Sequence, residues 1–251
     1  MNRYINNIFY RLSVHFPQHK YEINKIYDFI ETLSFWLSFK HRKRLLQNFK
    51  SYTTLKDFYH FASATLPSHQ LENEIVPFLD FVKKRQPKVV CEIGTAEGGT
   101  NFLLSNTIKS VQHIIGMDLY VHNRAKLKYF SKPKLRQSFF DGNSHSNNIS
   151  EQVKSVLKGE LIDLLFIDGD HTYNGVKQDF ECYRPYIAQG GLVAFHDIIP
   201  DFKTSKGTET DRWAGDVPVF WKQIKTQFKY KEFVENYDQD GLGIGVLILD
   251  N

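Results

Sequence analysis

The sequence predicts an α/β fold: a Rossmann-like, mostly parallel sheet of seven strands with helices on both faces, preceded by a helical N-terminal extension. Three observations predict it. No glycine occurs before Gly94, and apolar residues in that part recur at intervals of three and four, which is the spacing of amphipathic helices. After Pro87, short apolar runs alternate with helical patterns, as in parallel α/β sheets. Two further apolar runs close the chain, and they predict an antiparallel strand pair.

The N-terminal extension is predicted over residues 1–86. Its helical pattern covers residues 1–62, stops at residues 65–68 and resumes as a helix over residues 76–85. Pro77 lies in the first turn of that last helix, where proline is tolerated, and Pro87 lies beyond its end. We expect the extension to form a lid or the surface of a homo-oligomer. Its Tyr52, Tyr59 and Phe61 either line a pocket or pack in the core.

The second domain is predicted over residues 87–251. Its strands are expected at residues 88–93, 113–118, 135–140, 161–167, 191–195, 233–237 and 243–249, and its helices at residues 100–109, 151–158, 176–183 and 217–229. In such open sheets, ligands bind beyond the carboxyl ends of the strands, where the strand order reverses. Polar residues follow several of these predicted strands, so the functional site is expected at that edge.

Composition argues against several classes of protein. Arg3 and Arg11 interrupt the first apolar stretch, and no run of 18 apolar residues occurs, so neither a signal peptide nor a transmembrane segment is expected. Cys91 and Cys182 lie far apart without metal-ligand spacing, which favours the cytoplasm over an oxidising compartment.

The charge of the chain is unevenly distributed. Residues 1–88 carry 14 Lys/Arg and 7 Asp/Glu, whereas residues 89–251 carry 18 and 21. The densest basic segment is residues 40–44, Lys-His-Arg-Lys-Arg. It is interpreted as a solvated helix face, with contact to a phosphate, an acidic substrate or a membrane surface as the alternatives. No nucleic-acid recognition motif accompanies it, so nucleic acid is not an expected partner.

A glycine loop follows the first predicted strand. Its pattern is Glu92-x-Gly94-x-x-x-Gly98, which differs from the G-x-G-x-x-G loop of dinucleotide enzymes. Such a loop suits a ligand that has no pyrophosphate to place at a helix N-terminus. Asp118 ends the second strand, where a carboxylate can accept hydrogen bonds from two ribose hydroxyls.

Four segments together resemble the class I S-adenosylmethionine-dependent methyltransferases. The similarity is greatest to the branch that includes the cephalosporin-hydroxylase-like and macrolide-sugar O-methyltransferases, and it covers about residues 87–250. The segments are residues 90–100 (Val-Cys-Glu-Ile-Gly-Thr-Ala-Glu-Gly-Gly-Thr), 116–118 (Gly-Met-Asp), 166–173 (Phe-Ile-Asp-Gly-Asp-His-Thr-Tyr) and 190–197 (Gly-Gly-Leu-Val-Ala-Phe-His-Asp).

The resemblance implies S-adenosylmethionine as the cofactor and assigns its binding residues. Glycines and a threonine would line the methionine end, Glu92 would steady their loop, Asp118 would hold the ribose, and the segment after the third strand would flank the adenine. The residues so assigned are Glu92, Gly94, Thr95, Gly98, Gly99, Asp118, Asp141, Asn143 and Ser144. For residues 141 and 142, a plain turn is the alternative.

Acidic and imidazole side chains end two consecutive predicted strands, and consecutive strands are usually neighbours. They are Asp168, Asp170, His171, His196 and Asp197. Three carboxylates placed together repel one another unless a proton, a partner or a cation compensates them. A magnesium ion is expected, since it prefers oxygen ligands. The resemblance places it on Asp168, His196 and Asp197. Because histidine is a softer ligand, manganese and metal-free catalysis stay open.

The proton-accepting base is expected to be His171 or Asp170. His171 has the better starting pKa, and Asp170 is either the base itself or the group that orients His171. Structural hydrogen bonding is the alternative for His171, and core packing is the alternative for His196. The long segment 211–216 follows the fifth strand, and its Trp213 is expected either to cap a substrate or to pack.

The expected function is metal-assisted methyl transfer to a hydroxyl of a small molecule, a sugar or a natural product. An N-methyltransferase or a metal-independent methyltransferase is the nearest alternative. Residues 166–172 also match the DxDxT start of haloacid-dehalogenase-like phosphatases, and Asp-Gly-Asp suits a glycosyltransferase metal site. A non-catalytic protein that binds S-adenosylmethionine is the last alternative.

Overall fold

The computed structural model describes residues 3–250. Residues 1, 2 and 251, which the predicted domains include, lie outside the described part. Seven strands form one sheet: β1 (Val89–Ile93), β2 (His113–Asp118), β3 (Arg136–Asp141), β4 (Ile162–Ile167), β5 (Ile187–His196), β6 (Lys229–Phe233) and β7 (Ile244–Ile248). Their order is β3-β2-β1-β4-β5-β7-β6, and β7 runs antiparallel to both of its neighbours. The predicted fold class is confirmed.

Eleven α-helices occur among the described residues. The extension contributes α1 (Arg3–His15), α2 (Lys20–Leu37), α3 (Phe39–Ser51), α4 (Leu55–Thr65) and α5 (Glu72–Arg85). The sheet is connected by α6 (Gly99–Thr107), α7 (Arg124–Tyr129), α8 (Asn147–Leu157), α9 (Tyr173–Tyr183), α10 (Phe202–Lys206) and α11 (Val217–Ile224). Within the described range, no helix combines the length and the apolar character needed to cross a membrane.

The sheet separates two hydrophobic cores, because successive side chains of a strand point to opposite faces. Val90 and Leu164 face the core that α4, α5 and α6 cover. Cys91 and Leu165, one position further along each strand, face the core that α8, α9 and α11 cover. Both faces are therefore buried, which explains why the parallel strands have continuous apolar runs.

The extension packs on the first of these cores. Phe61 of α4 lies 5.0 Å from Phe130 and 5.4 Å from Phe102, measured between ring centroids. The buried carboxylate of Glu74 in α5 accepts hydrogen bonds from Gln239 Nε2 at 2.6 Å and from the Gly243 amide at 2.9 Å. These contacts attach the extension to α6, to the segment after α7 and to the segment before β7.

Two predicted elements near the C-terminus are wrong. The helix predicted over residues 217–229 ends at Ile224, and the strand predicted at 233–237 is β6 at Lys229–Phe233. An edge strand with lysines at alternate positions has few apolar residues to identify it. Helices α7 and α10 were not predicted, since six and five residues are too short to show a helical period. Helix α5 begins at Glu72, so Pro77 lies inside it rather than in its first turn.

The strand order reverses between β1 and β4. From β1 the chain proceeds to β2 and β3 on one side, and from β4 it proceeds to β5 on the other. A crevice forms at the carboxyl ends of strands that diverge in this way. The loops after β1, β2, β4 and β5 therefore meet at one edge of the sheet.

Candidate functional site

Two adjoining cavities lie at that edge. The larger, about 340 Å³, is lined by residues that follow β1, β2, β3 and β4. The smaller, about 290 Å³, lies toward β5 and the segment around Trp213. Gly94, Asp118 and Asp168 line both cavities. A ligand in one cavity can therefore contact a ligand in the other.

Gly94 allows the loop after β1 to pass directly over the end of β4. Its φ is +85°, and a Cβ at this position would lie 1.8 Å from the carbonyl oxygen of Asp168. Since no side chain fits there, glycine is required. The Gly94 amide also donates to the carbonyl of Met117 at 2.8 Å, which ties the loop to β2.

Asp118 stands at the boundary between the two cavities. Its Oδ2 accepts a hydrogen bond from the Ala96 amide at 2.9 Å, and its Oδ1 accepts one from the Tyr120 amide at 3.3 Å. Burial raises the pKa of this carboxyl, and the two backbone hydrogen bonds act in the opposite direction. Each oxygen keeps acceptor capacity for a ligand hydroxyl.

The other predicted cofactor residues divide into two groups. Asn143 and Ser144 line the larger cavity. Glu92 and Thr95 are buried beneath the glycine loop, and burial raises the pKa of Glu92 to about 8 while the side chains of Asn101 and Thr95 lower it. Glu92, Thr95, Gly98, Gly99 and Asp141 do not line either of the two large cavities.

Asp141 acts on a neighbouring loop rather than on the cavity wall. It forms an ion pair with Arg124 and accepts a hydrogen bond from the Val121 amide at 2.8 Å. The segment that does reach the cavity after β3 rests on Asp179, a fully buried carboxylate that sequence reasoning missed. Ser144 Oγ lies 2.6 Å from Asp179 Oδ1, and His145 Nε2 lies 2.9 Å from the same atom.

The acidic and imidazole side chains after β4 and β5 come together in the smaller cavity. Asp168, His171 and Asp197 each offer one ligand atom, and these atoms lie within 4.8 Å of one another. His171 Nε2 is 3.6 Å from Asp168 Oδ1 and 3.5 Å from Asp197 Oδ2. His196 Nδ1 is 3.2 Å and 3.3 Å from the same two oxygens. Two carboxylates thus share two imidazoles.

The carboxylates and imidazoles of this cluster shift the pKa of one another. Burial alone would raise the pKa of Asp168, but His196 and His171 hold it well below its ordinary value. Burial alone would lower the pKa of each histidine, but Asp168 and Asp197 outweigh it and raise both. The two carboxylates, Asp168 and Asp197, bring two negative charges together, and either protons or a cation can compensate them.

The backbone determines the tautomer of His171. Its Nδ1 lies 2.9 Å from the Trp213 carbonyl oxygen, which can only accept, so Nδ1 carries the proton. The ring also stacks on the Trp213 indole at 5.0 Å between centroids. In the neutral imidazole, Nε2 is then the free acceptor and faces both carboxylates.

Asp170 lies apart from this cluster, although it is next to His171 in sequence. It lines the larger cavity, and its Oδ1 accepts a hydrogen bond from the Thr172 amide at 2.9 Å at the start of α9. The Trp213 carbonyl orients His171, a role that the sequence analysis had considered for Asp170. His196 is buried, and its Nε2 has no hydrogen-bond partner among the described residues.

The extension also contributes to the site, through residues that sequence reasoning missed. Gln70 is 3% exposed, and its Nε2 donates to Asp168 Oδ2 at 3.0 Å. His69 lines the smaller cavity beside Arg212 and Trp213. The only sequence signal was the interruption of the helical pattern at residues 65–68. Tyr52, Tyr59 and Phe61 belong to the hydrophobic core and line neither large cavity.

Comparisons with known proteins agree with this architecture. Residues 91–198 match the model of a methyltransferase domain family. An uncharacterized protein of Acanthamoeba polyphaga mimivirus is 32% identical over 118 residues, which are 42% of this chain and 49% of that protein. A rhamnosyl O-methyltransferase of Mycobacterium bovis is 23% identical over 158 residues, which are 58% of this chain and 62% of that protein. The chain thus spans about half to three-fifths of the length of these relatives.

Solved structures share the fold. An O-methyltransferase from Bacillus cereus in complex with S-adenosylhomocysteine (SAH) aligns with a TM-score of 0.52 at 16% identity, over 79% of this chain and 91% of that one. The MycE methyltransferase of mycinamycin biosynthesis, in complex with Mg, SAH and mycinamycin VI, aligns with a TM-score of 0.52 at 15% identity, over 80% of this chain and 56% of that one. Residues 91–198 of the chain thus match a methyltransferase domain family, and the chain has the fold of these solved methyltransferases.

Proposed function

We propose that this protein transfers a methyl group from S-adenosylmethionine to a hydroxyl oxygen of a small molecule, a sugar or a natural product, with the help of a divalent metal ion. One observation carries the proposal. A cavity bordered by the glycine loop and Asp118 shares the Asp168 wall with a second cavity that contains paired carboxylates and imidazoles. Cofactor and acceptor sites must adjoin in this way for direct transfer.

The larger cavity fits the cofactor by the chemistry of its lining. Asp118 would accept hydrogen bonds from the ribose hydroxyls with the acceptor capacity that its backbone contacts leave. Asn143 and Ser144 would flank the adenine, and Gly94 would admit the methionine end. Glu92, Thr95, Gly98 and Gly99 would act from beneath, by holding the loop in its shape. Asp141 would hold the neighbouring loop through Arg124.

The donor set of the smaller cavity fits a divalent cation. Asp168, Asp197 and His196 would hold it, with Mg²⁺ or Mn²⁺ as the candidates. The neighbour MycE is a complex with Mg, which supports this part of the proposal. A bound cation would lower the pKa of an acceptor hydroxyl and orient its oxygen. His171 also lies within reach of both carboxylates, so a ligand role for His171 is the competing assignment.

We assign the base to His171. The Trp213 carbonyl keeps the proton on Nδ1, so Nε2 can accept the hydroxyl proton while the oxygen forms its bond to the methyl carbon and the carbon–sulfur bond breaks. Carboxylates that are bound to a cation no longer raise the pKa of His171, and the ring can then be neutral near neutral pH. Asp170, which lines the cofactor cavity, would steady the start of α9.

The acceptor would occupy the smaller cavity. Its volume of about 290 Å³ suits a small molecule or one end of a larger one. Asp211, Arg212 and His69 offer polar contacts, and Trp213 offers a flat apolar face. A rhamnosyl O-methyltransferase among the relatives supports a sugar acceptor. We further propose a cytoplasmic location, since both cysteines are free.

One alternative has an observation of its own. Because His171 and His196 already pair with both carboxylates, the cluster can be neutralised without a metal, as a metal-independent methyltransferase would require. The phosphatase alternative loses support, since Asp170 lies outside the cluster that contains Asp168.

The test is release of SAH from S-adenosylmethionine across a panel of hydroxylated and amine acceptors, with and without EDTA. Turnover with a hydroxyl acceptor that EDTA abolishes and Mg²⁺ restores supports the full proposal. Turnover only with amines would replace the acceptor class, and turnover unaffected by EDTA would remove the metal. His171→Ala separates the roles of His171. If His171 is the base, the variant loses turnover but keeps its Mn²⁺ affinity. If His171 is a metal ligand, the variant loses both.

A further inference from the structure

The second helix of the extension exposes an apolar stripe. Ile26, Phe29, Leu33, Trp36 and Leu37 are all exposed, at 47% to 75%. At about 100° per residue they lie within an arc of about 100°. We call these five residues the apolar stripe. The opposite side of α2 faces inward, where Phe35 packs on Tyr129 and Phe130. The stripe is therefore a second apolar face, beyond the one that the core uses.

A basic surface begins where the stripe ends. Helix α3 carries five Lys/Arg residues and no acidic residue. Lys40, Lys43, Arg44 and Lys50 are exposed, and Phe39 is 63% exposed. Within the described part of the chain, none of these four side chains pairs with a carboxylate. We call Lys40, Lys43 and Arg44 the basic cluster.

Arg42 holds the stripe and the cluster together. Its guanidinium lies 4.8 Å from the centre of the Trp36 ring and 5.6 Å from that of Phe39, and its Nη1 donates to the carbonyls of Phe35 and Trp36 at the end of α2. The turn between α2 and α3 is thereby fixed. Trp36 of the stripe therefore lies against the first turn of α3, the helix that carries the basic cluster.

We infer that this surface docks on an anionic lipid bilayer. Aromatic and aliphatic side chains enter the interfacial region, while neighbouring lysines and arginines attract anionic headgroups. Charge argues against a second copy of the chain as the occupant. In a symmetric dimer whose two-fold axis passes through the basic cluster, the two clusters would face each other without carboxylates. Nucleic acid would engage the cations but leave Ile26, Phe29, Leu33 and Leu37 in water.

The inference is independent of the proposed function. Helices α2 and α3 contribute no residue to either large cavity. Peripheral attachment would bring the enzyme to a membrane without a spanning segment. It would favour acceptors that reside in, or emerge from, the lipid surface.

The experiment is cosedimentation of the full chain with vesicles of phosphatidylcholine alone and of phosphatidylcholine mixed with phosphatidylglycerol. We expect binding to the mixed vesicles only, weakened by salt. The variant Lys40→Gln/Lys43→Gln/Arg44→Gln should lower the partition coefficient about 100-fold, from a roughly fivefold loss for each cation. Leu37→Ser/Phe39→Ser should lower it at least about tenfold. All five positions are exposed, so folding is expected to persist.

A matched control has the same charge change on the opposite face of the sheet: Lys154→Gln/Lys158→Gln/Lys177→Gln. The inference is overturned if the wild-type chain binds neither vesicle, or if the control loses as much binding as the α3 variant. It is also overturned if light scattering shows a dimer that Leu37→Ser/Phe39→Ser dissociates while vesicles stay unbound. Titration with SAH is expected to be unchanged in every variant.

Discussion

The sheet edge and the N-terminal extension differ in which groups they bury and which they expose. At the sheet edge, His196 and Asp179 are buried, Asp168 is partly buried, and each is held by close partners. In α2 and α3, apolar side chains such as Leu37, 75% exposed, stand in solvent beside unpaired cations. Burying charge and exposing apolar surface both cost free energy. Each is expected where a surface has a function. We propose that this function is chemistry at the sheet edge and membrane attachment in the extension.

Gln70 and Glu74 connect the two regions. Gln70 donates to Asp168, and Glu74 accepts from Gln239 and from Gly243, whose neighbour Leu242 donates to Asp197. The extension is thus a structural part of the site.

The largest effect is expected from Asp168→Asn. The change keeps the shape of the side chain but removes the charge that His171, His196 and Gln70 share. Turnover should fall by about three orders of magnitude, measured as SAH release, while circular dichroism stays unchanged. Substantial residual activity would mean that the chemistry lies outside this cluster.

A large effect on stability is expected from Gly94→Ala. The new Cβ would meet the Asp168 carbonyl at 1.8 Å and would also occupy a positive φ. We expect a loss of more than about 3 kcal/mol in the free energy of unfolding, measured by denaturant titration.

Gly159→Ala is the matched control for Gly94→Ala. Its φ is +88°, and nothing lies within 4 Å of the position that a Cβ would take. It should cost only about 1–2 kcal/mol, which is the strain of a left-handed backbone. Equal losses at the two positions would show that the contact with Asp168 is unimportant.

Gln70→Ala should have an intermediate effect on catalysis. Loss of the hydrogen bond to Asp168 leaves that carboxylate less well positioned, so kcat and Mn²⁺ affinity should each fall about 10- to 100-fold. SAH affinity should be unchanged. Gln47→Ala, at an exposed position of α3, is the control. An unchanged kcat for Gln70→Ala would assign the extension a purely structural role.

Much of this architecture was predictable from the sequence. The strands β1, β2 and β4 were predicted to within one residue at each end, because apolar runs that end in Asp or Gly are distinctive. The cluster of Asp168, His171, His196 and Asp197 was predictable, because consecutive strands β4 and β5 are neighbours in the sheet. The adjacency of β4 and β5 was sufficient to bring those side chains together.

Other parts were not predictable for physical reasons. Gln70 lies 98 residues before Asp168, and no local pattern records a contact across that separation. Asp179 lies on α9, where an acidic residue ordinarily indicates a solvated face. The separation of Asp170 from His171 depends on the local turn at the start of α9, since neighbouring side chains diverge there.

A smaller effect concerns the proposed ribose site. Asp118→Asn keeps the volume of the side chain but removes its charge, and SAH affinity should fall about 10- to 100-fold. Asp163 accepts hydrogen bonds from the Lys88 and Val89 amides at the other end of the sheet. The control is Asp163→Asn, which should leave SAH affinity unchanged. Equal affinities for wild type and Asp118→Asn would remove Asp118 from the ribose site.

The most direct test of the central claim is calorimetric titration of the purified chain with SAH, in the presence and absence of Mg²⁺. We expect one binding site with a dissociation constant of about micromolar, with an affinity or heat that changes when Mg²⁺ is present. Absence of SAH binding in both buffers would contradict the assignment of the larger cavity to S-adenosylmethionine.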